Sequence, residues 1–542
     1  MQPALPFKRW LYLLHRWLGI ALAVVMLAWF VSGMVMLYVG YPRLTAEERL
    51  TALPPLPAPG CCVPLPQAVA AAQAYRATLP APAHGRRSAA GDDAWRLTSV
   101  AGEPRLIVGD GSRQPVAVDA VSGRVVSAVD RDAAQRAAAH FAQGAPVRWL
   151  RLVQEDAWTH SRALDGHRPL HRLAVQEPQG RWLYVSSRTG EVVRDASVTE
   201  RRWGWIGAWL HWLYLFRGGT LDAWWTDIVI GLSVAGSIAA LSGLVVGLWR
   251  WRFRGRYRSG RRSPYADRAA RWHHVAGMLG GVLCLTWVLS GLFSMNPWKL
   301  FDADGPRPDR MAYAGGAADP AQAPDPTRVL QQLAAQGQAA RELSWHRVGG
   351  SSLALAHGGG RSEGDASRLF VGTAAARLAA LPAAHWRAAA QALIPAGRIV
   401  HEERLERFDA YYYARAPHTM TGPRERPLPV WRLRFDDPGA TWAVIDPRTG
   451  LLLELSDSRR RASRWLFAFL HSFDLPALLA FRPGWDLWML GFSLAGTLLA
   501  ATAVITGTRR LRRLHPPWRR ARPRASQPQP GRAAAMIQGE TS

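Results

Sequence analysis

The chain has 542 residues, of which 49% are hydrophobic, and its formal net charge is +27. This length accommodates several domains, and the composition fits either a large soluble protein or a membrane protein. A high positive charge is typical of nucleic-acid-binding proteins, but the basic residues here cluster beside apolar segments. That distribution argues against a nucleic-acid partner and predicts a lipid bilayer as the partner instead.

Four apolar segments contain no charged residue over 22 to 24 positions, the length that a helix needs to cross a bilayer. The first segment is longer than the apolar part of a secretory signal, and no small-x-small cleavage site follows it, so we expect a retained anchor. The four predicted transmembrane helices are Trp17–Val39, Ile228–Trp249, Val275–Trp298 and Leu487–Thr508.

Arginine clusters predict the orientation of these helices. Nine arginines lie in Arg250–Arg271 and eight in Arg509–Arg524, and basic residues also precede the first helix. By the positive-inside rule these segments and both termini are cytoplasmic. Segments 40–225 and 299–486 then lie outside, so the expected location is the inner (plasma) membrane of a bacterium, with these segments in the periplasm.

The sequence also repeats itself. An offset of 258 aligns the first apolar segment with the third, and an offset of 260 aligns the chain from Trp182 onward with the chain from Trp442 onward. A repeat of this length predicts a tandem duplication of a whole module, with both copies in the same orientation. Matching positions include His15/His273, Gly19/Gly277, Trp29/Trp287, Arg188/Arg448, His211/His471 and Gly236/Gly496.

The outer segments have the pattern of small α+β domains. Helical stretches are followed by short Val-rich strands, and Trp182–Val193 and Trp442–Leu453 are each predicted to form a hairpin with glycine in the turn. The three cysteines predict no disulfide framework, because Cys61 and Cys62 are adjacent and Cys284 lies within a helix. The predicted fold is a four-helix transmembrane bundle with two α+β outer domains.

The predicted order of segments follows from these patterns. It is transmembrane helix 1 with a cytoplasmic N-terminus at 1–40, an outer domain at 41–200, an interfacial helix at 201–225, transmembrane helix 2 at 226–250, an Arg-rich cytoplasmic linker at 251–271, transmembrane helix 3 at 272–298, a second outer domain at 299–460, an interfacial helix at 461–485, transmembrane helix 4 at 486–508 and a basic disordered tail at 509–542.

Four of the sixteen histidines recur at the repeat offset. One pair shares a helix face with small residues near the cytoplasmic end, and the other lies in aromatic segments near the outer surface. Two imidazoles at equal depth on facing helices are suited to ligate one haem iron axially, which favours electron transfer. The alternative is that these histidines are interfacial anchors, which a duplication also copies. The pairs are His15/His273 and His211/His471, and His274 is an alternative to His273.

Three arginines near these histidines are candidate partners for haem propionates, because guanidinium groups bind carboxylates bidentately. They are Arg16, Arg271 and Arg217. The cytoplasmic segments are too short for a flavin or nicotinamide domain, and no Gly-x-Gly-x-x-Gly motif follows a predicted strand. A quinol or an unidentified protein is therefore the expected electron donor.

The arrangement of motifs resembles the PepSY-associated transmembrane family from about Trp10 to Arg513. The motifs are a His-x3-Gly helix ending in Ser-Gly, an outer domain with Arg-Thr-Gly hairpins, a Leu-His pair, and a Gly-rich helix ending in Arg. The resemblance implies PepSY-like outer domains, haem b held by the membrane histidines, and reduction of a ferric chelate in the periplasm. Those histidines correspond to His15, His211, His273 and His471, while Ala208 and Ala468 replace the first histidine of a frequent His-x2-His motif.

Three functions follow as hypotheses. The leading one is a membrane reductase that passes electrons from the inner to the outer haem and on to a ferric chelate of the siderophore type, for iron uptake. The second is a non-enzymatic membrane protein whose outer domains bind or inhibit an envelope peptidase or another partner. The third is a transporter, which parallel repeats favour but two helices per repeat do not.

Overall fold

The computed structural model describes residues 5–58, 60–80, 94–109, 114–303, 305, 307–358, 368–371, 377–378, 381–419, 422 and 426–514. Most of the predicted basic tail lies outside these described residues. The helices are α1 Leu5–Met36, α2 Ala46–Ala52, α3 Leu65–Thr78, α4 Arg131–Phe141, α5 Val198–Gly204, α6 Trp225–Arg250, α7 Arg268–Ser294, α8 Arg310–Ala314, α9 Pro326–Ala335, α10 Ala383–Leu393, α11 Ser458–Ser463, α12 Leu470–Ser472, α13 Pro476–Ala480 and α14 Arg482–Leu514.

Four of these helices, α1, α6, α7 and α14, are long and apolar enough to cross a membrane, which matches the four predicted spans. They form a closed ring in which α1 packs against α6 and α14, and α7 packs against the same two helices. Helices α1 and α7 therefore lie diagonally across the bundle. Glycine permits close approach in this ring, since a Cβ at Gly496 would overlap the ring of Phe30.

The remaining chain forms three antiparallel sheets. An eight-stranded sheet has the order β12-β11-β10-β9-β1-β2-β3-β4, and the two four-stranded sheets have the orders β5-β6-β7-β8 and β13-β14-β15-β16. The strands are β1 Trp95–Val100, β2 Glu103–Val108, β3 Val116–Asp119, β4 Val125–Val126, β5 Val147–Val153, β6 Leu170–Val175, β7 Trp182–Ser186, β8 Val192–Ala196, β9 Glu342–Val348, β10 Ser351–His357, β11 Arg368–Val371, β12 Arg377–Leu378, β13 Ile399–Leu405, β14 Val430–Phe435, β15 Trp442–Ile445 and β16 Leu452–Ser456.

The eight-stranded sheet joins the two halves of the chain. Strand β1 pairs with β9, so that Leu97 lies opposite Leu343, and both pack into one core with α3 and α9. Beside this pairing, the buried guanidinium of Arg96 contacts Glu191 at 2.8 Å and Glu342 at 3.0 Å. The predicted outer domains 41–200 and 299–460 therefore share a sheet. Strands β1 and β9 are far apart in the sequence, and no local sequence pattern predicts that they pair.

Both predicted hairpins are confirmed. Strands β7 and β8 pair after a turn in which Gly190 has a φ of +77°, and β15 and β16 pair after a turn in which Gly450 has a φ of +68°. Glycine adopts this left-handed conformation without the steric cost that a side chain imposes. Cys61 and Cys62 form a disulfide bond with each other. Because the two residues are adjacent in sequence, this bond does not connect distant segments of the chain.

Each predicted interfacial helix, at 201–225 and at 461–485, is divided into shorter pieces. Helices α5 and α11 continue into π-helical turns at Trp205–Trp209 and Arg464–Phe469. Leu213 and Phe473 then take left-handed φ values of +52° and +47° and end the helical run. The interruption turns the chain back toward the membrane helices and places each Leu-His motif against the bundle.

Asp195 on β8 makes the stability of the outer region dependent on pH. Burial, reinforced by the charges of Glu48 and Glu200, raises the pKa of Asp195 to about 7, against about 3.9 in an unfolded chain. The folded protein therefore holds the proton of Asp195 more tightly than the unfolded chain does. The stability that this gives is fully present below about pH 4 and is lost as the pH rises through about 7. We expect Asp195→Asn to reduce the loss of melting temperature between pH 5 and pH 8 by about 3 °C or more.

The measurement is a thermal unfolding curve of the detergent-purified protein at both pH values. Asp132→Asn is the matched control, because Asp132 is exposed on α4. Equal losses in the wild type and Asp195→Asn would contradict the assignment.

Candidate functional site

The first predicted pair of histidines meets between α1 and α7 near one end of the bundle. His15 on α1 and His273 on α7 have ring centroids 6.2 Å apart, with an interplanar angle of 35°. The Nδ1 of His15 lies 3.0 Å from the backbone oxygen of Ala239, and the Nδ1 of His273 lies 3.1 Å from that of Leu499. A carbonyl oxygen only accepts, so Nδ1 carries the hydrogen in both rings and Nε2 keeps its lone pair.

The second predicted pair meets at the other end of the bundle. His211 and His471 have ring centroids 6.1 Å apart, with an interplanar angle of 71°. Their Nδ1 atoms lie 2.9 Å and 3.0 Å from the hydroxyls of Ser32 and Ser290. Each hydroxyl donates its hydrogen to a carbonyl one turn earlier in its own helix, so it accepts a hydrogen bond from Nδ1. The same tautomer results, with the lone pair on Nε2.

Tryptophan side chains fix the backbone around the second pair. The Nε1 of Trp29 donates to the carbonyl oxygen of His211 at 3.0 Å. The indoles of Trp225 and Trp485 donate to the residues that directly follow the two histidines, Trp212 and Ser472, at 2.8 Å and 3.0 Å. These bonds hold each Leu-His motif at a set depth beside the membrane helices.

The geometry of both pairs fits a shared iron. Nε2 of each of the four rings has no hydrogen-bond partner among the described residues, and two lone pairs cannot bond to each other. An imidazole nitrogen ligates a metal at about 2 Å, so two rings that share one ion axially have centroids about 6 Å apart. Within the described ranges, no group of three or more metal-binding side chains is present. A macrocycle that brings its own equatorial ligands fits a site of two histidines better than a bare ion does.

A cavity of about 470 Å³ opens beside the second pair, and both His211 and His471 line it. Its size lies within the range of cofactor and ligand pockets, about 300–1,000 Å³. Its walls are largely apolar, and the buried Nε1 of Trp287 has no hydrogen-bond partner in the described part of the chain. The unpaired indole and the apolar walls favour a flat, largely apolar occupant with few polar groups.

The cations at this cavity are not the ones that the sequence predicts. Arg217 contacts Asp222 at 3.5 Å and stacks on Trp225, and it does not line the cavity. Arg43 and Arg415 line the cavity instead, together with His418. The sequence gives only a weak indication that Arg43 lines this cavity, namely its position just after the first apolar segment. It gives no indication for Arg415, which lies in the second predicted outer domain, far in sequence from the membrane helices.

Near the first pair, Arg16 is exposed on α1 and Arg271 is half-buried at the start of α7. Neither has an ion pair with any residue that the structure describes, so the prediction that they bind propionates stays a prediction. His274 differs from its neighbour His273, because both of its ring nitrogens are bonded, Nδ1 to Ser263 and Nε2 to Gly247. His274 is therefore the poorer candidate for a ligand.

The two pairs lie far apart along the bundle. On α1, Ser32 follows His15 by 17 positions, and on α7, Ser290 follows His273 by 17 positions. A rise of 1.5 Å per residue gives an axial separation of about 26 Å, close to the thickness of the hydrocarbon layer. Between the pairs lies a cluster of apolar side chains that includes Phe30 and Val288.

Comparison with known proteins gives one family match. No curated protein matches the chain. The family described as "PepSY-associated TM region" matches residues 12–405, which is more than half of the chain and includes three of the four recurring histidines, while His471 lies beyond the matched region. The chain therefore belongs to the PepSY-associated transmembrane family.

Proposed function

We propose that this chain is a haem-binding electron-transfer protein of the bacterial inner membrane, which reduces a ferric chelate at the periplasmic face. The observation that carries the proposal is the presence of two imidazole pairs with centroids 6.2 and 6.1 Å apart and no partner at Nε2. A haem b ligated by two imidazoles supplies a six-coordinate iron that exchanges single electrons and has no open position for oxygen.

The residues around each pair prepare the imidazoles for ligation. Hydrogen bonds from Nδ1 to Ala239, Leu499, Ser32 and Ser290 fix the tautomer and ring orientation before any metal is bound. Such outer bonds also raise the basicity of the nitrogen that binds the metal. The apolar cavity at the second pair keeps water away from the bound group.

We propose that the chain is a tandem duplication, with its outer sheets in the periplasm and its termini in the cytoplasm. Equivalent contacts support the duplication, since Ala239 and Leu499, which accept from the inner histidines, are 260 positions apart. Arginine-rich segments next to the ends of α6 and α14 support the orientation. The second histidine pair then lies near the periplasmic surface.

The proposed reaction needs an electron donor outside this chain. Each ferric ion takes up one electron and becomes ferrous. A quinol that gives up two electrons and two protons therefore reduces two ferric ions, and a partner protein with a one-electron centre reduces one. The bilayer around the four helices gives a quinol direct access to the bundle.

The absorption spectrum of the purified protein tests the proposal. We expect sharp low-spin b-type bands after reduction with dithionite, and pyridine haemochrome quantitation of one or two haems per chain. Protein purified from cells supplied with haem precursors is the sample. A folded but colourless protein would overturn the proposal and leave the non-enzymatic alternative, in which the outer region binds or inhibits an envelope peptidase or other partner.

Single histidine substitutions test the assignment of ligands. His273→Ala should remove the haem of the inner pair, and His471→Ala should remove that of the outer pair while the spectrum of the other haem persists. The readout is haem per chain in protein that elutes as a single folded species. His274→Ala is the matched control and should retain full haem content, because both nitrogens of His274 already have partners. Unchanged haem content in His273→Ala would refute the inner assignment.

A glycine substitution tests the inner pair without changing a ligand. A Cβ at Gly243 would lie 2.6 Å from the Cε1 atom and 3.0 Å from the Nδ1 atom of His15. Gly243→Ala should therefore displace the His15 ring and lower occupancy of the inner haem by about tenfold or more, the effect of roughly 1.4 kcal/mol. Gly231→Ala on the same helix is the control, since nothing lies within 4 Å of its Cβ position. Equal haem content in the two variants would contradict the predicted role of Gly243.

A further inference from the structure

A second cavity lies at the edge of the third sheet, on the strand β16. Its volume is about 320 Å³, within the range of small-molecule pockets. Four arginines and one carboxylate line it, together with Tyr411, and the arginines come from α8, from α11 and from the π-helical turn that follows α11. The charged lining residues are Arg310, Glu454, Arg460, Arg461 and Arg464.

The positive charge of this cavity is only partly neutralised by carboxylates among the described residues. Glu454 is paired with Arg426, and Arg464 is paired with Asp474 at 2.9 Å. The other three arginines have no carboxylate at ion-pair distance in the described part of the chain. Arg461 stacks on Trp442 and donates to the backbone oxygen of Ser456 at 3.1 Å, and burial lowers the pKa of its guanidinium although the more distant Asp457 and Asp437 act in the opposite direction. A cavity of this kind favours an anionic occupant.

The corresponding part of the first half shares only part of this arrangement, since Arg201 stacks on Trp182 as Arg461 stacks on Trp442. At positions 260 residues earlier, Glu200 stands in place of Arg460 and Gly204 in place of Arg464. Strand β8 is also largely buried, and the guanidinium of Arg194 on β8 bonds to the carbonyl oxygen of Pro42. All five residues of β16 are instead half-exposed. Arg460 and Arg464 therefore belong to one half only, and the common fold does not require them.

This cavity is next to the outer histidine pair. Arg464 lines the cationic cavity, and its partner Asp474 lines the cavity that holds His471. The ion pair between Arg464 and Asp474 therefore connects the linings of the two cavities. Tyr413 and Arg415 also contact Asp474, at 2.6 and 2.7 Å, so this connection is part of a network of hydrogen bonds.

From these observations we infer that the cationic cavity on β16 binds the iron chelate, and that the chelate is an anion with carboxylate or other oxyanion groups. Guanidinium groups bind such oxygens bidentately, and an occupant here would be held beside the outer pair. This inference rests on the proposed function for the identity of the ligand. Phosphate headgroups of anionic lipids present the same oxyanion chemistry, so the test must distinguish the two sources.

Binding of gallium(III) citrate, an anionic analogue that is not reduced, tests the inference independently of electron transfer. The full chain is placed in nanodiscs of zwitterionic phosphatidylcholine, and binding is followed by calorimetry. We expect Arg460→Glu to weaken binding by about tenfold or more through charge repulsion. Arg404→Glu is the matched control, because Arg404 is exposed on β13 at the opposite edge of the same sheet, and it should bind like the wild type.

Three outcomes would overturn the inference: no binding of gallium citrate, equal binding by Arg460→Glu, or equal binding of a cationic gallium hydroxamate complex. Binding that is abolished when phosphatidylglycerol is added to the nanodiscs would identify a lipid headgroup as the occupant and also overturn it. Haem content is measured on the same samples. Absence of haem with selective binding of gallium citrate would refute the electron-transfer proposal alone, whereas normal haem without binding would refute this inference alone.

Discussion

The hydrogen bond at Nδ1 of each recurring histidine is the interaction on which the site depends. It occupies Nδ1 of each ring and leaves Nε2 without a partner, while the paired rings lie 6.2 and 6.1 Å apart. For His15 and His273 the acceptor is a backbone oxygen of a neighbouring membrane helix, so the bond forms only if the helices pack closely. Gly243 and Gly496 provide that closeness, because a side chain at either position would meet His15 or Phe30. Glycine at position 243 is thus a requirement of the geometry at His15.

The sequence predicts the site well where the information is local or repeated. Runs without charged residues predict the four spans. The recurrence of His211 and His471 at one offset predicts that they form a pair, and the two rings lie 6.1 Å apart in the folded chain. Sequence does not predict Arg43 and Arg415 at the cavity, since their positions depend on loops that return to the bundle from the outer region. The sequence also does not predict that β1 pairs with β9, because several other strands have a similar hydrophobic pattern and could pair with either one.

The shared eight-stranded sheet gives the two halves a fixed relation outside the membrane. Arg96 is buried between Glu191 of the first half and Glu342 of the second. Removal of Arg96 would leave the buried Glu191 without this partner, whereas Glu342 would keep its ion pair with Arg49. The shared sheet holds the two halves of the chain together beyond the helix bundle. The two halves nevertheless differ in sequence and in the exposure of their strands. The cationic cavity on β16 and the covered strand β8 are the clearest of these differences.

The axial distance between the histidine pairs limits how the proposed cofactors are arranged. Imidazoles about 26 Å apart along the bundle cannot ligate one macrocycle, so each pair needs its own. The cavity at His211 and His471 reaches down to Met26, which lies six positions before Ser32 on α1, or about 9 Å toward the inner pair. A macrocycle that occupies this depth projects into the membrane and shortens the remaining gap. Apolar side chains that do not line this cavity, Cys284 among them, pack in the gap that remains between the pairs. The bundle therefore separates the two pairs by packed protein.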